Sequence, residues 1–375
     1  MRESGFEVAA ISSAGPQLEF VEQRDNIKVH QVPMLRRISP LADITALFRL
    51  FKTMRRLRPT IVHAHTPKGG LLGMIAACLA RIPVRIFTLH GIRSATTVGI
   101  KKRIVESSEK LTCRLAQKIF AVSNSVCQQA VDFGYCKKEK IKVLVNGSCN
   151  GIDARGLFNP EKYPQELRPR LRRKYGIPEN ALVLCYVGRI VRDKGITELT
   201  EAWQRLRTEF DDLYLLMVGE YEPEDALDPE VTQVLDNDAH IVITGFVYDI
   251  PEHYLAADIV ALPTHREGFG YVAIEGAAME LPIVATRVSG CVEAVEDGRT
   301  GVLVPAKNSD ALYKAIKRLL LDKLLRDKLG QAGRKRVLEC FMPEAIWNAL
   351  QNEYVNLMRK RGIEWQGPIH FKEAR

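Results

Sequence analysis

The sequence predicts an α/β protein with two Rossmann-like, doubly wound parallel-sheet domains. Short apolar runs of strand length alternate with longer amphipathic stretches along almost the whole chain. This alternation is typical of parallel sheets joined by right-handed crossover helices. The length of 375 residues suits two domains better than one. A polar, charged stretch near residues 158–178 interrupts the alternation, and we interpret it as the domain linker together with a short helix.

Composition narrows the classes of function. Hydrophobic residues form 46% of the chain, which is enough for two cores. No run approaches the roughly 20 apolar residues that a membrane span needs, and no apolar segment follows Met1, so we predict neither a spanning helix nor a signal peptide. The eight cysteines are scattered without metal-ligand spacing, and we interpret them as reduced thiols in a cytoplasmic protein.

The net charge of +9 favours anionic partners, namely nucleotides, nucleic acid or an anionic membrane surface. No RNA- or DNA-binding motif is visible, so nucleic acid is not the predicted partner. His63 and His65 lie two positions apart. Two histidines are too few for a metal site without further ligands, and we predict none.

In the first half of the chain, a strand follows Gly5, and further strands are predicted at residues 27–33, 60–64, 84–89, 119–122 and 141–145. Helices are predicted at residues 41–57, 71–81, 101–117 and 125–133. In the second half, strands are predicted at residues 182–187, 213–218, 241–244, 259–262, 283–285 and 302–304. The helices there are expected at residues 195–209, 269–280, 309–321, 324–331 and 344–361.

The helix at residues 41–57 has two different faces. One face repeats apolar residues at helical spacing and is expected to pack inside: Leu47, Leu50, Phe51, Met54 and Leu57. The other face carries basic residues and no acid: Arg49, Lys52, Arg55, Arg56 and Arg58. Such a face fits an anionic membrane surface. The alternative is an ordinary solvated face of a helix that packs on the core.

A glycine-rich turn with two glutamates follows the predicted strand at residues 259–262. Glu267 is followed by Gly268, Phe269 and Gly270, and Glu275 comes eight positions after Glu267. Glycines let a ligand approach the backbone, and the first N–H groups of a helix attract anions, so this turn can hold a diphosphate. Glu275 is placed to accept hydrogen bonds from sugar hydroxyls. The alternative is a solvated acidic helix start.

A basic motif follows the predicted strand at residues 182–187. Gly188 frees the backbone, Arg189 supplies a rigid donor fork and Lys194 a compact charge. Two such cations can hold a diphosphate and stabilise it as it leaves; the alternative is a basic surface turn. These motifs, like His65 and His90, follow strand ends, so we expect them to converge on the cleft between the two domains.

On these motifs the chain resembles the family-4 retaining glycosyltransferases of GT-B fold, and among them the subgroup that builds bacterial capsules and lipid-linked oligosaccharides. The resemblance extends from Gly5 to about Tyr354. It rests on the following segments: His63-Ala-His65-Thr-Pro-Lys-Gly, Thr88-Leu-His90-Gly91, Asn146-Gly-Ser with Asn150-Gly-Ile-Asp153, Gly188-Arg189 with Lys194-Gly195, Val218-Gly219, Thr244-Gly245-Phe246, Arg266-Glu267-Gly268-Phe-Gly, Glu275 and Gly298-Arg-Thr-Gly301.

The resemblance implies an acceptor-binding domain at residues 1–163, on which the helix at 344–361 packs, and a nucleotide-sugar domain at residues 164–343. It also implies roles for single residues. Arg189 and Lys194 would grip the donor diphosphate, and backbone N–H groups of Gly268, Phe269 and Gly270 would contact phosphate and sugar. Glu267 would hold the transferred sugar, Glu275 the ribose, and Val247 would lie by the base. His90 would sit over the reacting centre, and His65 and Lys68 would contact acceptor or phosphate.

The implied reaction moves a hexose or N-acetylhexosamine from a nucleotide diphosphate sugar, expected to be a UDP-sugar, with retention and without a metal or other cofactor. The leaving diphosphate would help to deprotonate the acceptor hydroxyl. The expected acceptor is a lipid-diphosphate-linked sugar or a growing capsule, O-antigen or exopolysaccharide. The expected location is cytoplasmic, peripheral on the inner face of the cell membrane.

One departure from the family pattern affects these expectations. Family members open with a strand, a glycine-rich turn and a helix ahead of the position of Gly5, and this chain lacks them. We expect that translation starts upstream of Met1; the alternative is a truncated, inactive first domain. Two other functions remain open, namely a non-catalytic protein that binds sugar nucleotides and a UDP-N-acetylhexosamine epimerase of the same fold.

Overall fold

The computed structural model describes residues 1–35, 38–222 and 225–367. In chain order, its strands are β1 (Ala9–Ser12), β2 (Lys28–Gln31), β3 (Ile61–His65), β4 (Val84–Leu89), β5 (Lys118–Ala121), β6 (Ile141–Val143), β7 (Leu182–Val187), β8 (Leu213–Val218), β9 (Ile241–Ile243), β10 (Ile259–Leu262), β11 (Ile283–Thr286) and β12 (Gly301–Val304). All of the strand pairings within this part of the chain are parallel.

The α-helices alternate with these strands. They are α1 (Pro16–Asp25), α2 (Pro40–Leu57), α3 (Pro67–Leu79), α4 (Gly99–Leu115), α5 (Asn124–Asp132), α6 (Leu167–Lys174), α7 (Ile196–Arg207), α8 (Pro229–Asn237), α9 (Ile250–Ala256), α10 (Tyr271–Ala278), α11 (Cys291–Ala294), α12 (Ser309–Leu321), α13 (Lys323–Cys340) and α14 (Pro343–Arg359). The predicted α/β fold class with parallel sheets is therefore confirmed.

The first of two compact units contains Met1–Cys149 and the chain from Glu344 onward. Its strands form a pair, β1-β2, and a four-stranded sheet in the order β3-β4-β5-β6. One hydrophobic cluster joins α2 and α3 and includes Leu50, Met54, Leu72 and Ala76. A second cluster packs α14 against the four-stranded sheet, with Ile86, Phe120, Tyr354 and Met358 among its members.

The second unit, Asn150–Pro343, contains one six-stranded sheet in the order β12-β11-β10-β7-β8-β9. The chain runs outward from β7 through β8 and β9, and then returns to build β10, β11 and β12 on the other side of β7. The strand order thus reverses between β7 and β10. In open α/β sheets, ligands bind outside the carboxyl ends of the strands at such a switch point. The loops after β7 and β10 are therefore where a ligand is expected.

The two compact units divide after Cys149, whereas the predicted boundary lies at residue 163. Residues 150–163 are held inside the second unit by Arg334 of α13, whose side chain is 13% exposed. Arg334 donates to the carbonyl oxygen of Ala154 at 3.1 Å and to Oδ1 of Asn159 at 2.8 Å. These contacts are distant in sequence, and the composition of residues 150–163 gives no sign of them.

The predicted linker at residues 158–178 is likewise part of the second unit. Its helix, α6, is fastened to the segment before β10 by two arginines. Arg168 and Arg172 donate to the two carboxylate oxygens of Asp258 at 2.8 and 2.9 Å. The side chain of Arg172 is almost wholly buried. The stretch was interpreted as a linker with a short helix, whereas Arg168 and Arg172 attach it to Asp258 of the second unit.

Several helices also differ from prediction: α8, α9 and α11 were not predicted, and α1 and α13 are two further cases. α1 was not predicted, because its apolar residues do not follow a helical stripe. α13 extends to Cys340, whereas the predicted helix stops at residue 331 before a glycine. Here the glycine is required for packing. A Cβ on Gly330 would lie 1.9 Å from the carbonyl oxygen of Glu280, and one on Gly333 would lie 3.1 Å from Cβ of Ala277.

Candidate functional site

The loop after β7 presents Arg189 from a rigid base. Gly188 has a φ of +142°, a value that side chains disfavour. The fully buried Tyr186 donates its hydroxyl to the carbonyl oxygen of Arg189 at 2.6 Å. The guanidinium of Arg189 is half exposed and forms an ion pair with Glu222. Tyr186 was not predicted as a site residue, because a tyrosine within an apolar strand has the pattern of a core residue.

Lys194 and Glu267, which the sequence predicts as separate site residues, form an ion pair. Lys194 Nζ lies 2.6 Å from Oε2 of Glu267, and each side chain is 21% exposed. Gly195 has a φ of +70°, and a Cβ there would lie 2.0 Å from the carbonyl oxygen of Pro263. The loop after β7 therefore touches the end of β10 so closely that only glycine fits. This contact brings the cation and the carboxylate together at the switch point.

Four neighbouring residues that were not predicted as site residues hold these two loops and the start of α7 together. Arg266 donates to Oδ2 of Asp193 from Nε at 2.8 Å and from Nη2 at 2.5 Å. The backbone N–H of His265 donates to the carbonyl oxygen of Asp193 at 2.9 Å. The ring Nε2 of His265 lies 2.9 Å from Oε1 of Glu198. Asp193, Arg266 and His265 lie within two positions of a predicted residue, and Glu198 lies one helical turn after Lys194. Arg266 also belongs to a segment that carries the family resemblance.

The glycine turn before α10 is anchored by the aromatic residue within it. Phe269 is 3% exposed, and its ring packs edge-on against Phe341 with centroids 5.5 Å apart. A Cβ on Gly290 would lie 2.6 Å from the carbonyl oxygen of Gly268. The N–H of Gly270 points to the carbonyl oxygen of Gly290 at 3.5 Å. The backbone N–H groups of Gly268, Phe269 and Gly270 were predicted as donors. That of Gly270 has a weak acceptor within the protein, and Phe269 can offer a ligand only its backbone because its ring is buried.

Glu275 lies inside α10 and receives a hydrogen bond from a fully buried tyrosine. Tyr254 of α9 donates its hydroxyl to Oε2 of Glu275 at 2.9 Å. Burial raises the pKa of Glu275 above its ordinary value, and the hydrogen bond from Tyr254 opposes that rise. Tyr254 thus favours the ionised carboxylate, which can accept hydrogen bonds from hydroxyl groups. Nothing in the sequence connects these two residues, which are 21 positions apart.

Val247, predicted to lie by the base, follows the end of β9. Gly245 has a φ of +71° and pairs with Gly219, the residue after β8. Val247 is partly buried between the exposed Phe246 and Tyr248, whose rings meet edge to face at 5.0 Å.

The first unit brings its predicted histidines together at the ends of β3 and β4. His65 Nδ1 lies 3.1 Å from Nε2 of His90, and the rings of His63 and His65 stack at 4.4 Å. His63 is held on both sides, by the hydroxyl of Tyr354 at 2.5 Å and by that of Thr88 at 2.6 Å. One imidazole must donate to the other for the His65–His90 bond to form, so at least the accepting ring must be neutral.

The pKa values of these histidines favour the neutral form. Desolvation, together with the nearby His90, lowers the pKa of His65 to about 4, although part of its ring reaches solvent. Burial lowers the pKa of His90, and burial with the two other histidines lowers that of His63 well below its ordinary value. Lys68, predicted on the acceptor side, forms an ion pair with Asp43 at 2.7 Å.

Two features are absent from the described ranges, 1–35, 38–222 and 225–367. No group of three or more His, Cys, Asp or Glu side chains there could hold a metal ion. No helix in these ranges is long and apolar enough to cross a membrane.

Comparison with known proteins connects this arrangement to a family. Residues 1–147 match the family described as Glycosyl transferase 4-like domain, and residues 168–336 match Glycosyl transferases group 1. The chain is 33% identical over 360 residues to the capsular polysaccharide biosynthesis glycosyltransferase CapM of Staphylococcus aureus. The match covers 96% of this chain and 92% of the relative.

A second relative is the UDP-Gal:alpha-D-GlcNAc-diphosphoundecaprenol alpha-1,3-galactosyltransferase of Escherichia coli, 27% identical over 92% of this chain and 87% of its own. The fold is similar to the crystal structure of Anabaena Alr3699/HepE in complex with UDP and glucose. That likeness has a TM-score of 0.79, 21% identity and coverage of 93% of this chain and 91% of the other. The chain therefore belongs to the family-4, group 1 glycosyltransferases of GT-B fold and is a glycosyltransferase.

Proposed function

We propose that this glycosyltransferase moves a hexose or N-acetylhexosamine from a UDP-sugar to a lipid-diphosphate-linked sugar, with retention at the anomeric carbon. The product would extend a capsule, O-antigen or exopolysaccharide. The observation that carries the proposal is the Lys194–Glu267 pair at the switch point of the second unit. Two relatives support the substrate classes, one named for capsule biosynthesis and one for a UDP-galactose donor and a diphosphoundecaprenol-linked acceptor.

In the proposed donor complex, the diphosphate binds Arg189 and Lys194, each of which exchanges a carboxylate partner for phosphate oxygens. Backbone N–H groups of Gly268 and Phe269 contribute further hydrogen bonds. Glu267, released from Lys194, accepts hydrogen bonds from the transferred sugar. Glu275 accepts them from the ribose, and Val247 lies by the base.

The proposed step breaks the bond between C1 of the sugar and the diphosphate oxygen. A new bond forms on the same face between C1 and the acceptor oxygen. The acceptor proton passes to the departing diphosphate, whose negative charge Arg189 and Lys194 stabilise. No metal or other cofactor is required in this proposal. His90 contacts the transferred sugar, and His65 and Lys68 serve the acceptor side.

The acceptor class implies a peripheral location on the cytoplasmic face of the membrane. The cationic residues of α2 that the sequence places on one face are exposed, from Arg49 to Arg58. They can attract anionic lipid headgroups. A flotation assay with anionic vesicles tests this location, and failure to float with them would contradict it.

The experiment that tests the reaction measures UDP release. The protein is incubated with a panel of UDP-sugars and membrane lipid acceptors, with and without EDTA, and NMR of the product reports the anomeric configuration. Lys194→Ala and Glu267→Gln are each expected to lower kcat/KM by about 10²- to 10³-fold, since each removes a charge that acts on the reacting groups. EDTA is expected to leave the rate unchanged.

Arg192→Ala is the matched control. Arg192 belongs to the same turn as Lys194, but its guanidinium forms an exposed ion pair with Asp228. It is expected to retain the rate within about twofold, because exposed ion pairs contribute little. Binding of UDP-sugars without UDP release would instead favour a non-catalytic binding protein. Failure of every UDP-sugar to bind would contradict the assignment of the donor.

A further inference from the structure

The outward face of α2 changes character along its length. Leu41, Ile44 and Phe48 recur at helical spacing on that face and are 83%, 64% and 66% exposed. Lys52 and Arg55 continue the same stripe toward the end of the helix, and both are exposed. The inward stripe of Ala46, Leu50 and Met54 is buried. α2 therefore already has a complete core-facing side, and its exposed apolar residues have no partner within the described structure.

The start of α4 repeats this pattern. Val98, immediately before the helix, is 83% exposed, and Ile100 and Ile104 are 80% and 52% exposed. They alternate with the exposed basic residues Lys101, Lys102 and Arg103. The buried side of α4 is supplied by other residues, among them Val105 and Cys113. The outward apolar residues again add nothing to the core.

These two apolar groups lie at one edge of the first unit. α2 and α4 both pack against α3. The first turns of α2 and α3 are side by side, because Asp43 and Lys68 form an ion pair at 2.7 Å. β3 and β4 are parallel neighbours. α3 begins directly after β3, and α4 follows β4 after residues 90–98. Right-handed crossovers in a sheet of sequential strands place both helices on the same face. The exposed residues of α2 and α4 therefore lie at the carboxyl edge of the sheet.

The three helices on this side of the sheet carry an excess of positive charge. Together α2, α3 and α4 contain ten Lys or Arg and three Asp or Glu, a net charge of +7. Of the three acids, Asp43 is paired with Lys68 and Glu109 is buried. A surface that combines exposed Leu, Ile and Phe with Lys and Arg matches the interface of an anionic bilayer, where apolar side chains enter the acyl region and cations remain among the headgroups.

We propose that Leu41, Ile44 and Phe48 of α2, with Val98, Ile100 and Ile104 beside α4, form an apolar edge that inserts into an anionic lipid bilayer. The basic residues next to them bind the headgroups. Insertion at two helices fixes the orientation of the first unit and turns the carboxyl edge, with His65 and His90, toward the lipid surface. Insertion goes beyond the attraction of headgroups to the cationic face of α2. The inference rests on the peripheral location proposed above, and it adds the apolar contact with lipid and the orientation of the first unit.

The test uses the full chain and two serine pairs, Ile44→Ser/Phe48→Ser and Ile100→Ser/Ile104→Ser. Flotation is measured with vesicles of phosphatidylcholine containing phosphatidylglycerol, in low salt and in about 1 M NaCl. At the higher concentration, the attraction between charges is screened beyond about 3 Å. Each pair is expected to lower vesicle partitioning about tenfold or more, since the apolar area that enters the bilayer is lost. The wild type is expected to retain part of its binding in high salt.

The matched control is Leu321→Ser/Leu324→Ser. These leucines of the second unit are 69% and 82% exposed. Their replacement should leave vesicle partitioning within about twofold of the wild type, because single exposed apolar residues are common on protein surfaces. As a second measurement, Phe48→Trp is mixed with vesicles of brominated-chain lipid. Quenching of the fluorescence from the introduced tryptophan supports insertion. Unquenched fluorescence of that tryptophan in vesicle-bound protein overturns it.

Binding that disappears in high salt and is unaffected by both serine pairs would overturn the proposal in favour of electrostatic attachment alone. A concentration-dependent dimer that the serine pairs dissociate, without vesicle binding, would assign the edge to a second copy of the chain. Sugar transfer without vesicle binding overturns this inference and the peripheral location, but leaves the proposed transfer reaction intact. Vesicle binding by a protein that binds no sugar nucleotide supports this inference and contradicts the proposed function.

Discussion

At the scale of single residues, the candidate site is defined by what each charged group contacts. Lys194 forms an ion pair with Glu267, and Arg189 forms one with Glu222. Glu275 accepts a hydrogen bond from Tyr254. The first two partners are charges that a bound diphosphate would displace. Tyr254 differs, because it is buried and neutral, and it is placed to hold the carboxylate rather than compete for it.

Tyr254→Phe is expected to weaken UDP binding by about three- to tenfold, because one hydrogen bond to a charged group is lost. The loss should grow as pH falls. A carboxylate accepts hydrogen bonds above its pKa, and removal of the donated bond raises the pKa of Glu275 further. The acid limb of binding therefore moves to higher pH. Calorimetric titration at several pH values measures this shift.

The comparison ligand is 2′-deoxy-UDP. If Tyr254 holds Glu275 toward the ribose, the preference for UDP over the deoxy ligand should shrink in Tyr254→Phe and in Glu275→Gln. An unchanged preference with both affinities reduced equally would assign Tyr254 a purely structural role.

The contact between His65 and His90 predicts coupled effects in the first unit. His90→Ala and His65→Ala are each expected to lower kcat, and the double variant should lose less than the product of the two single losses. The reason is that residues sharing a hydrogen bond couple energetically. A double-mutant cycle in the UDP-release assay measures the coupling. Strict additivity would show that the 3.1 Å contact has no part in the reaction.

At the scale of elements, close packing sets features that local propensity opposes. Alanine is favoured over glycine inside a helix by about 1 kcal/mol, yet α13 continues through Gly330 and Gly333. The carbonyl oxygen of Glu280 occupies the space that a side chain at position 330 would need. The same close approach occurs at the site, where Gly195 meets the backbone of Pro263.

Gly330→Ala is therefore expected to lower the free energy of unfolding by about 1 to 3 kcal/mol, the usual cost of overpacking, despite the gain in helix propensity. A backbone carbonyl cannot move aside as a flexible side chain would. Urea denaturation measures the change. Gln331→Ala, at the neighbouring exposed position, is the control and should stay within about 0.5 kcal/mol of the wild type. Stabilisation by Gly330→Ala would show that α13 does not pack so tightly.

At the scale of the whole molecule, the positive charge and the histidines with lowered pKa values are unevenly distributed. The chain carries a net charge of +9, and three helices of the first unit alone have a net of +7. The histidines with lowered pKa values also lie in this unit, in contact with one another. The first unit is therefore expected to lose stability where these histidines would take up protons on unfolding.

The urea midpoint is expected to fall as pH decreases from 7 to 5. His63 stays neutral when folded, whereas in the unfolded chain it takes up a proton as pH passes its ordinary value of 6.5. Stability is then lost below that pH, by at most about 1.4 kcal/mol per pH unit for one such group. His63→Gln should show a shallower dependence. An equal slope in both proteins would contradict a lowered pKa for His63.

The sequence alone determined the fold class and most of the elements. Four strands, at residues 84–89, 182–187, 213–218 and 259–262, have the predicted bounds, and so does the helix at 309–321. Apolar runs of strand length and helical stripes are local patterns, so a single sequence reveals them. The motifs with Arg189, Lys194, Glu267 and Glu275 were also visible, since glycine and charge after a strand are local features.

Only the tertiary structure decided which of these residues meet. Lys194 and Glu267 are 73 positions apart and become partners because β7 and β10 are neighbours at the switch point. The sequence gives no local sign of the roles of Tyr254 and Tyr186, or of the contacts that hold residues 150–163. The reason is that a buried hydrogen bond between segments has no local sequence pattern. The exposed apolar edge was hidden for the same reason: the sequence shows that Leu41 and Phe48 are apolar, but only packing shows that other residues fill the core.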